Sequence, residues 1–242
     1  MENPQNPSNP YLIPGAIVMA GLIIAGALYF SRTANQPTTD TGPSPEEQLA
    51  KLEKISPVTA ADHILGNPEA PIKIVEFSDL ECPFCKQFHN TLTRLMSDYG
   101  KTGELAWVYR HFPIDNLHPK ARSEAYALEC AAEIGGESKF WPFMNEIMAI
   151  TPSNNGLEAA ELPKIATRLG IDRAKFETCL ASDKYKQKVD NQIAEAIATG
   201  AQGTPWSIML VTKDSKVKVP INGSLPYDDV KGAIDELLAK YK

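Results

Sequence analysis

Hydrophobic and polar positions change rhythm several times along the chain. The first apolar run, "YLIPGAIVMAGLIIAGALYF" from Tyr11 to Phe30, sits in a stretch without charge from Asn3 to Ser31. It has the length a helix needs to cross roughly 30 Å of hydrocarbon. Tyr11 and Tyr29 lie near its ends, where amphipathic rings favour the interface. A cleaved secretory signal is the other reading, but the charged leading segment is missing and the run is longer than usual for one. The pattern therefore predicts an N-terminal tail over 1–10 and an uncleaved transmembrane anchor over 11–31. The Gly21 and Ala25 pair within it suits helix packing, although such pairs are frequent by chance. Residues 32–56 then turn rich in Thr, Pro, Asn and Gln and read as a flexible linker, too poor in large apolar groups to fold. Near its end Leu49, Leu52 and Ile55 recur at helical spacing and predict a short helix over Glu46 to Ile55.

Residues 57–242 carry the patterns of a globular domain. "IKIVEFS", Ile72 to Ser78, is a short apolar run between turn residues, as a buried strand requires. A helix is predicted from Pro83 to Tyr99, with Phe84, Phe88, Leu92, Leu95 and Met96 on one stripe. Pro83 suits the first helical position, where its missing N–H would be unpaired anyway. Glu104 to Phe112 reads as a second strand, and strand, helix, strand favours a right-handed parallel crossover. From about 117 to 200 only helical periods appear, punctuated at Gly135-Gly136, Ser153 to Gly156 and Gly170, with Asp172 placed to cap a helix. Strands return at Trp206 to Val211 and Lys216 to Ile221. Lysines and Pro220 mark the latter as a sheet edge. A last helix is predicted over Pro226 to Lys240. The order is βαβ, a helical insertion, then ββα: an α/β fold.

Composition adds limits. An apolar share of 43% is enough for a packed core. The net charge of −6, with no dense Lys/Arg run, excludes nucleic-acid binding, which needs clustered cations.

The chemistry lies in "EFSDLECPFCKQFH", residues 76–89, where Cys82 and Cys85 flank a Pro-Phe pair. This spacing can hold zinc, staple a fold or run thiol exchange. Zinc needs four ligands, and Cys130 and Cys179 are far apart in predicted helices, so no metal is expected. The strand-to-helix junction favours exchange. Cys82 falls at the helix N-terminus, where free N–H groups and the helix dipole stabilise a thiolate, and Cys85 falls one turn further in and deeper. Glu76 shares a strand face with Ile72 and Ile74, which places its carboxylate in a partly desolvated setting. There it would have a raised pKa and could pass protons to or from Cys85; the alternative is a glutamate at a frayed strand end.

Strand, Cys-x-x-Cys at a helix start, and a closing ββα resemble the thioredoxin superfamily. The helical insertion resembles its DsbA-like branch, and the likeness covers roughly 57–242. "GTP" at Gly203 to Pro205 looks like the superfamily's cis-proline loop. "HFPIDNLHPKA" and "FETCLASDKY" look like stretches of DsbA-like oxidoreductases with N-terminal anchors. Glu76, six residues before Cys82, matches the acidic residue these proteins carry under the disulfide. The resemblance implies catalysis by Cys82, Cys85 and Glu76. Phe84, Thr204, Pro205 and Trp206 would shape a docking surface, with the Thr204 backbone free to pair with a substrate strand. It also implies a structural disulfide between Cys130 and Cys179, against the alternative of two buried free thiols. That bridge would be worth roughly 4 kcal/mol in the chain-entropy model.

Four histidines, His63, His89, His111 and His118, read as surface or packing residues, and Trp107, Phe140, Trp141 and Phe143 as core. Between the two cysteines, where DsbA itself has a histidine, this chain has Phe84. With no cation beside Cys82 and with Glu81 before it, a milder oxidant is expected. The function implied is thiol:disulfide oxidoreductase, most often in the oxidising direction. A reductase or isomerase using the same pair, and a redox-inactive tethered binding or chaperone module, remain alternatives. Partners would be proteins with cysteines and a membrane redox partner, with no cofactor beyond the cysteine pair itself. Arg32 after the anchor would place the bulk of the chain in the cytoplasm by the positive-inside rule. The cysteine chemistry argues instead for a cell-membrane protein with an extracytoplasmic C-terminal domain.

Overall fold

The computed structural model describes residues 44–241. The tail over 1–10, the anchor over 11–31 and residues 32–43 of the linker lie outside the described residues. Among the described residues, no helix is long and apolar enough to cross a membrane. The elements in chain order are α1 (Pro45–Leu52), β1 (His63–Gly66), β2 (Ile72–Ser78), α2 (Pro83–Leu95), β3 (Leu105–His111), α3 (Ala121–Gly135), α4 (Glu137–Ile150), α5 (Glu161–Arg168), α6 (Arg173–Leu180), α7 (Lys186–Ala198), β4 (Trp206–Val211), β5 (Asp214–Asn222) and α8 (Tyr227–Tyr241).

The described strands form one mixed sheet in the order β1-β3-β2-β4-β5. β2 and β3 are parallel, joined through α2; the other neighbours are antiparallel. β2 is therefore central and covered on both faces, which is why it reads as a nearly continuous apolar run. One face carries Ile72 and Ile74 with Trp107 and Tyr109, and packs under α2, α4 and α8 through Phe88, Leu92, Phe140 and Ile234. The other carries Val75 and Phe77 with Val108 and Ile208, against Leu52 of α1 and Ala196 of α7. Each fully buried Phe or Leu contributes about 1.5–3 kcal/mol.

Three expectations need correction. β1 went unread: its four residues, His-Ile-Leu-Gly, are too few to show a period. Gly66 ends it at φ 99°, in a place where a Cβ would meet the Leu105 carbonyl oxygen at 2.9 Å. The helix predicted over Pro83 to Tyr99 stays α-helical only to Leu95 and widens to a π-helical turn over Met96–Gly100. β5 is longer than predicted, Asp214–Asn222, and it does form an edge of the sheet.

Candidate active site

Cys82 is the N-cap of α2, in extended backbone (φ −78°, ψ 123°), with Pro83 opening the helix. Proline supplies no N–H there and costs no hydrogen bond, and the Phe84 and Cys85 amides favour an ionised sulfur at the cap. Cys82 and Cys85 are both free thiols. The Cys82 Sγ–H donates to the Thr204 carbonyl at 3.4 Å, and the Asp79 N–H donates to Cys85 Sγ at 3.4 Å.

Electrostatics separate the two sulfurs. Donation from the Cys85 thiol is the main cause that pulls Cys82 down to about 6. The Thr204 side chain and the amides of Cys85 and Phe84 add to it, against the opposing effect of burial. Cys85, fully buried, is pushed well above the usual thiol value by burial and by Cys82. At neutral pH one sulfur is a thiolate and the other keeps its proton, the asymmetry that exchange needs. The thiolate stands on short local hydrogen bonds first and on helix-end amides second.

Several sequence expectations meet a different geometry. Cys82 is only 5% exposed, a narrower opening than an accessible thiol implied. Phe84, by contrast, projects into solvent at 61% exposure beside it. Glu81 does not press its charge on Cys82: it is buried, and its carboxylate accepts from the Gly156 and Leu157 amides at 3.1 and 3.2 Å. The argument for a weakly stabilised thiolate loses that support. The Thr204 carbonyl accepts the Cys82 thiol only while that sulfur keeps its proton, and ionisation of Cys82 frees it.

Trp206 does not line a groove by the sulfurs. Its ring is buried with Val75, Phe77 and Ile208 on the opposite sheet face, and its N–H donates to Thr199 Oγ1 at 3.1 Å. Side chains alternate along a strand, so the residue next to Pro205 turns away and Ser207, opposite Glu76, faces the sulfur side. The Thr204–Pro205 peptide is cis, and Pro205 is buried.

Glu76 is wholly buried rather than partly desolvated. Trp107 Nε1–H donates to its Oε2 at 2.9 Å, and Ser78 stands beside the carboxyl and favours its ionised form. Burial pushes its carboxyl up to about 7. The native state therefore holds this proton to higher pH than the unfolded chain does, and the stability it contributes is lost as pH rises from about 4.5 to about 7. Glu76→Gln is expected to remove that slope in the reduced protein and to gain on the order of 3 kcal/mol above pH 7. Denaturant melts from pH 5 to pH 8 check it.

Sequence reasoning passed over a second group of acids. Asp79 Oδ1 accepts from the Glu81 N–H at 2.8 Å, and Oδ2 accepts from the Ile114 N–H at 2.7 Å and from His118 Nδ1 at 2.9 Å. This carboxylate therefore fixes the β2–α2 turn, whose own amide holds Cys85. Glu124 of α3 stands against Glu81 and is pushed up to about 9 by burial first and by Glu81 second, so it is neutral at pH 7. The signal was present in Asp79 and Glu81 within "SDLEC", but acids in a turn ordinarily face water. All four histidines are buried, which leaves packing and excludes a surface role. Cys130 of α3 and Cys179 of α6 form a disulfide with Cα atoms 5.8 Å apart. Among the described residues, no group of three or more His, Cys, Asp or Glu could hold a metal ion.

A family model described as thioredoxin matches residues 58–236. Among solved structures, the chain is similar to Pseudomonas aeruginosa DsbA2 at 27% identity and TM-score 0.62, covering 75% of this chain and 97% of that one. Wolbachia pipientis α-DsbA1 (23%, TM-score 0.67, covering 79% and 97%) and Bacillus subtilis BdbD (22%, TM-score 0.62, covering 74% and 93%) share the fold. Among curated proteins, a Na(+)/H(+) antiporter NhaA of Salinispora tropica is 33% identical over 144 residues, 60% of this chain. The match spans only 21% of that antiporter's length.

Proposed function

The chain belongs to the thioredoxin family, and from that premise we propose that it is a DsbA-like thiol:disulfide oxidoreductase that forms disulfides in other proteins outside the cytoplasm. The observation that carries the reading is the pair of sulfurs at the head of α2, one held near pKa 6 and the other driven upward. Stabilising the Cys82 thiolate stabilises the reduced protein, which makes the disulfide form an oxidant. The DsbA and thiol–disulfide exchange proteins among its structural neighbours support the same reading.

In the oxidising direction a substrate thiolate attacks Cys82 Sγ. The bond to Cys85 breaks, and the electron pair leaves on the Cys85 sulfur, which takes a proton from Glu76. A second substrate thiolate attacks the mixed disulfide, releasing oxidised substrate and the Cys82 thiolate. A membrane redox partner then restores the Cys82–Cys85 bond. Exposed Phe84 and the Thr204–Pro205 turn form the docking surface. The apolar stretch 11–31 holds the domain at the cell membrane.

The test is oxidation of a reduced two-cysteine peptide by the oxidised protein, with the reduction potential measured against glutathione. Rapid stoichiometric oxidation is expected, with a potential above that of thioredoxin and below the roughly −120 mV of DsbA, since a thiolate held near pKa 6 is less stabilised than that of DsbA. A potential near that of thioredoxin, about −270 mV, would make the chain a reductase. No exchange at all would leave only a binding module.

A further inference from the structure

β2 delivers Glu76 and Ser78 to the same face of the sheet, two residues apart, since side chains alternate along a strand. Trp107, Tyr109 and His111 stand beside them on β3, and Ser207 lies opposite Glu76 on β4. The Cys85 sulfur meets this face from the first turn of α2, in one core cluster with Ile74, Trp107 and Tyr109. Glu76, Ser78, Tyr109, Ser207 and Cys85 are all at 1% exposure or less. A proton that reaches Cys85 is therefore handed over inside the core, by a neighbour.

A serine hydroxyl has one proton to give and lone pairs to accept with, and it rotates to suit. Ser78 stands beside Cys85, Glu76 and Tyr109 and favours the ionised form of each, which a hydroxyl does by donating. Its proton is committed to none of the three, since Ser78 Oγ forms no well-directed hydrogen bond. The surrounding groups are otherwise engaged. The Ser78 carbonyl takes the Phe112 N–H at 2.8 Å, and His111 across the ladder is turned to Glu129 at 3.0 Å. Glu76 Oε2 takes the Trp107 N–H at 2.9 Å, and Cys85 Sγ takes the Asp79 N–H at 3.4 Å. Glu76 itself reaches Cys85 by charge alone, whereas Ser78 adjoins both. Cys82 is the other charge that acts on Glu76. Burial pushes the Tyr109 hydroxyl well above its ordinary value, so it keeps its own proton.

We propose that Ser78 is a further catalytic residue, the hydroxyl that carries a proton from Glu76 to Cys85 when the internal disulfide opens and back again when it closes. The inference deepens the disulfide-exchange reading above and rests on it. When a substrate thiolate attacks Cys82, the electron pair of the S–S bond leaves on Cys85 Sγ, in a site where burial makes a thiolate costly. The Ser78 O–H bond breaks toward that sulfur as the Ser78 oxygen takes the Glu76 proton. Cys85 ends as a thiol, Glu76 as a carboxylate and Ser78 as it began. Closing the bond reverses both transfers, so one proton serves the three groups over a full cycle. Ser78 is neither oxidised nor reduced.

Ser78→Ala in the full chain tests the relay, read as the single-turnover rate at which the oxidised protein oxidises a reduced two-cysteine peptide. The rate is expected to fall on the order of a hundredfold, the low end of what a positioned proton transfer supplies, and Glu76→Gln should slow it alike. The double variant should be about as slow as Glu76→Gln alone, because the hydroxyl then has no proton to pass on, whereas two unrelated structural losses would multiply. A wild-type rate in Ser78→Ala, or a double variant slowed by the product of the two single effects, would overturn the relay. A wild-type protein that oxidises no peptide would instead overturn the disulfide-exchange reading. Should Ser78→Ala fail to fold, the wild-type chain decides through its rate in mixtures of light and heavy water. Two protons moving together bow the plot of rate against deuterium fraction. A straight line, or no isotope effect at all, would overturn the relay.

Discussion

Cys85→Ala is expected to collect other proteins on Cys82 as mixed disulfides, and Cys82→Ser is expected to collect none and to bring peptide oxidation down to the uncatalysed rate. The difference follows from the two sulfurs' settings. Only Cys82 is ionised near neutral pH, and at 5% exposure beside exposed Phe84 it is less enclosed than the fully buried Cys85. Cys85 is fully buried, keeps its proton and is held from beneath by the Asp79 amide. Cys85 is the sulfur that makes and breaks the internal bond to Cys82, so without it the Cys82 thiolate still attacks a disulfide of another protein, but no internal thiol is left to release the captured partner. Non-reducing gels with release by dithiothreitol read the result. Equal capture by both variants would mean that a different thiol carries the chemistry.

Replacing Cys130 and Cys179 together with Ala is expected to cost about 4 kcal/mol, because the bridge closes a loop with a sequence separation of 49 and so restricts the unfolded chain. For a domain of this size that is a fall in Tm of roughly 8–16 °C. The loss should be one of stability alone. The bridge ties α3 to α6 in the helical block, and neither cysteine touches the Cys82 sulfur, so the Cys82 alkylation profile should not move. Calorimetry of both forms checks the first point. A melt within about 2 °C of wild type would show that the helical block holds together by packing.

The strands read best from sequence were those the fold buries on both faces. β2 and β4 fall where Ile72 to Ser78 and Trp206 to Val211 were expected, since a central strand shows as an apolar run between turns. β1 escaped notice because its one ladder, to β3, rests on four residues, and its His63 reads as polar although it is buried. At the site, Cys82 and Cys85 were legible from spacing and Glu76 from alternation. Trp206 was misplaced because nearness to Pro205 in sequence was read as nearness in space, and one step along a strand reverses the face. Glu81, adjacent to Cys82, misled in the same way: its charge is spent on the amides of residues 156 and 157. The roles of Asp79, Glu124 and His118 were not legible, since they depend on the β2–α2 turn meeting segments distant in sequence.

The most direct measurement of the central claim is the rate of Cys82 alkylation by iodoacetamide in the reduced protein between pH 4 and pH 10. The account places the inflection near pH 6, with the rate high at pH 7 and lost as the thiolate is protonated on acidification. An inflection near 9, the value of an ordinary thiol, would contradict it.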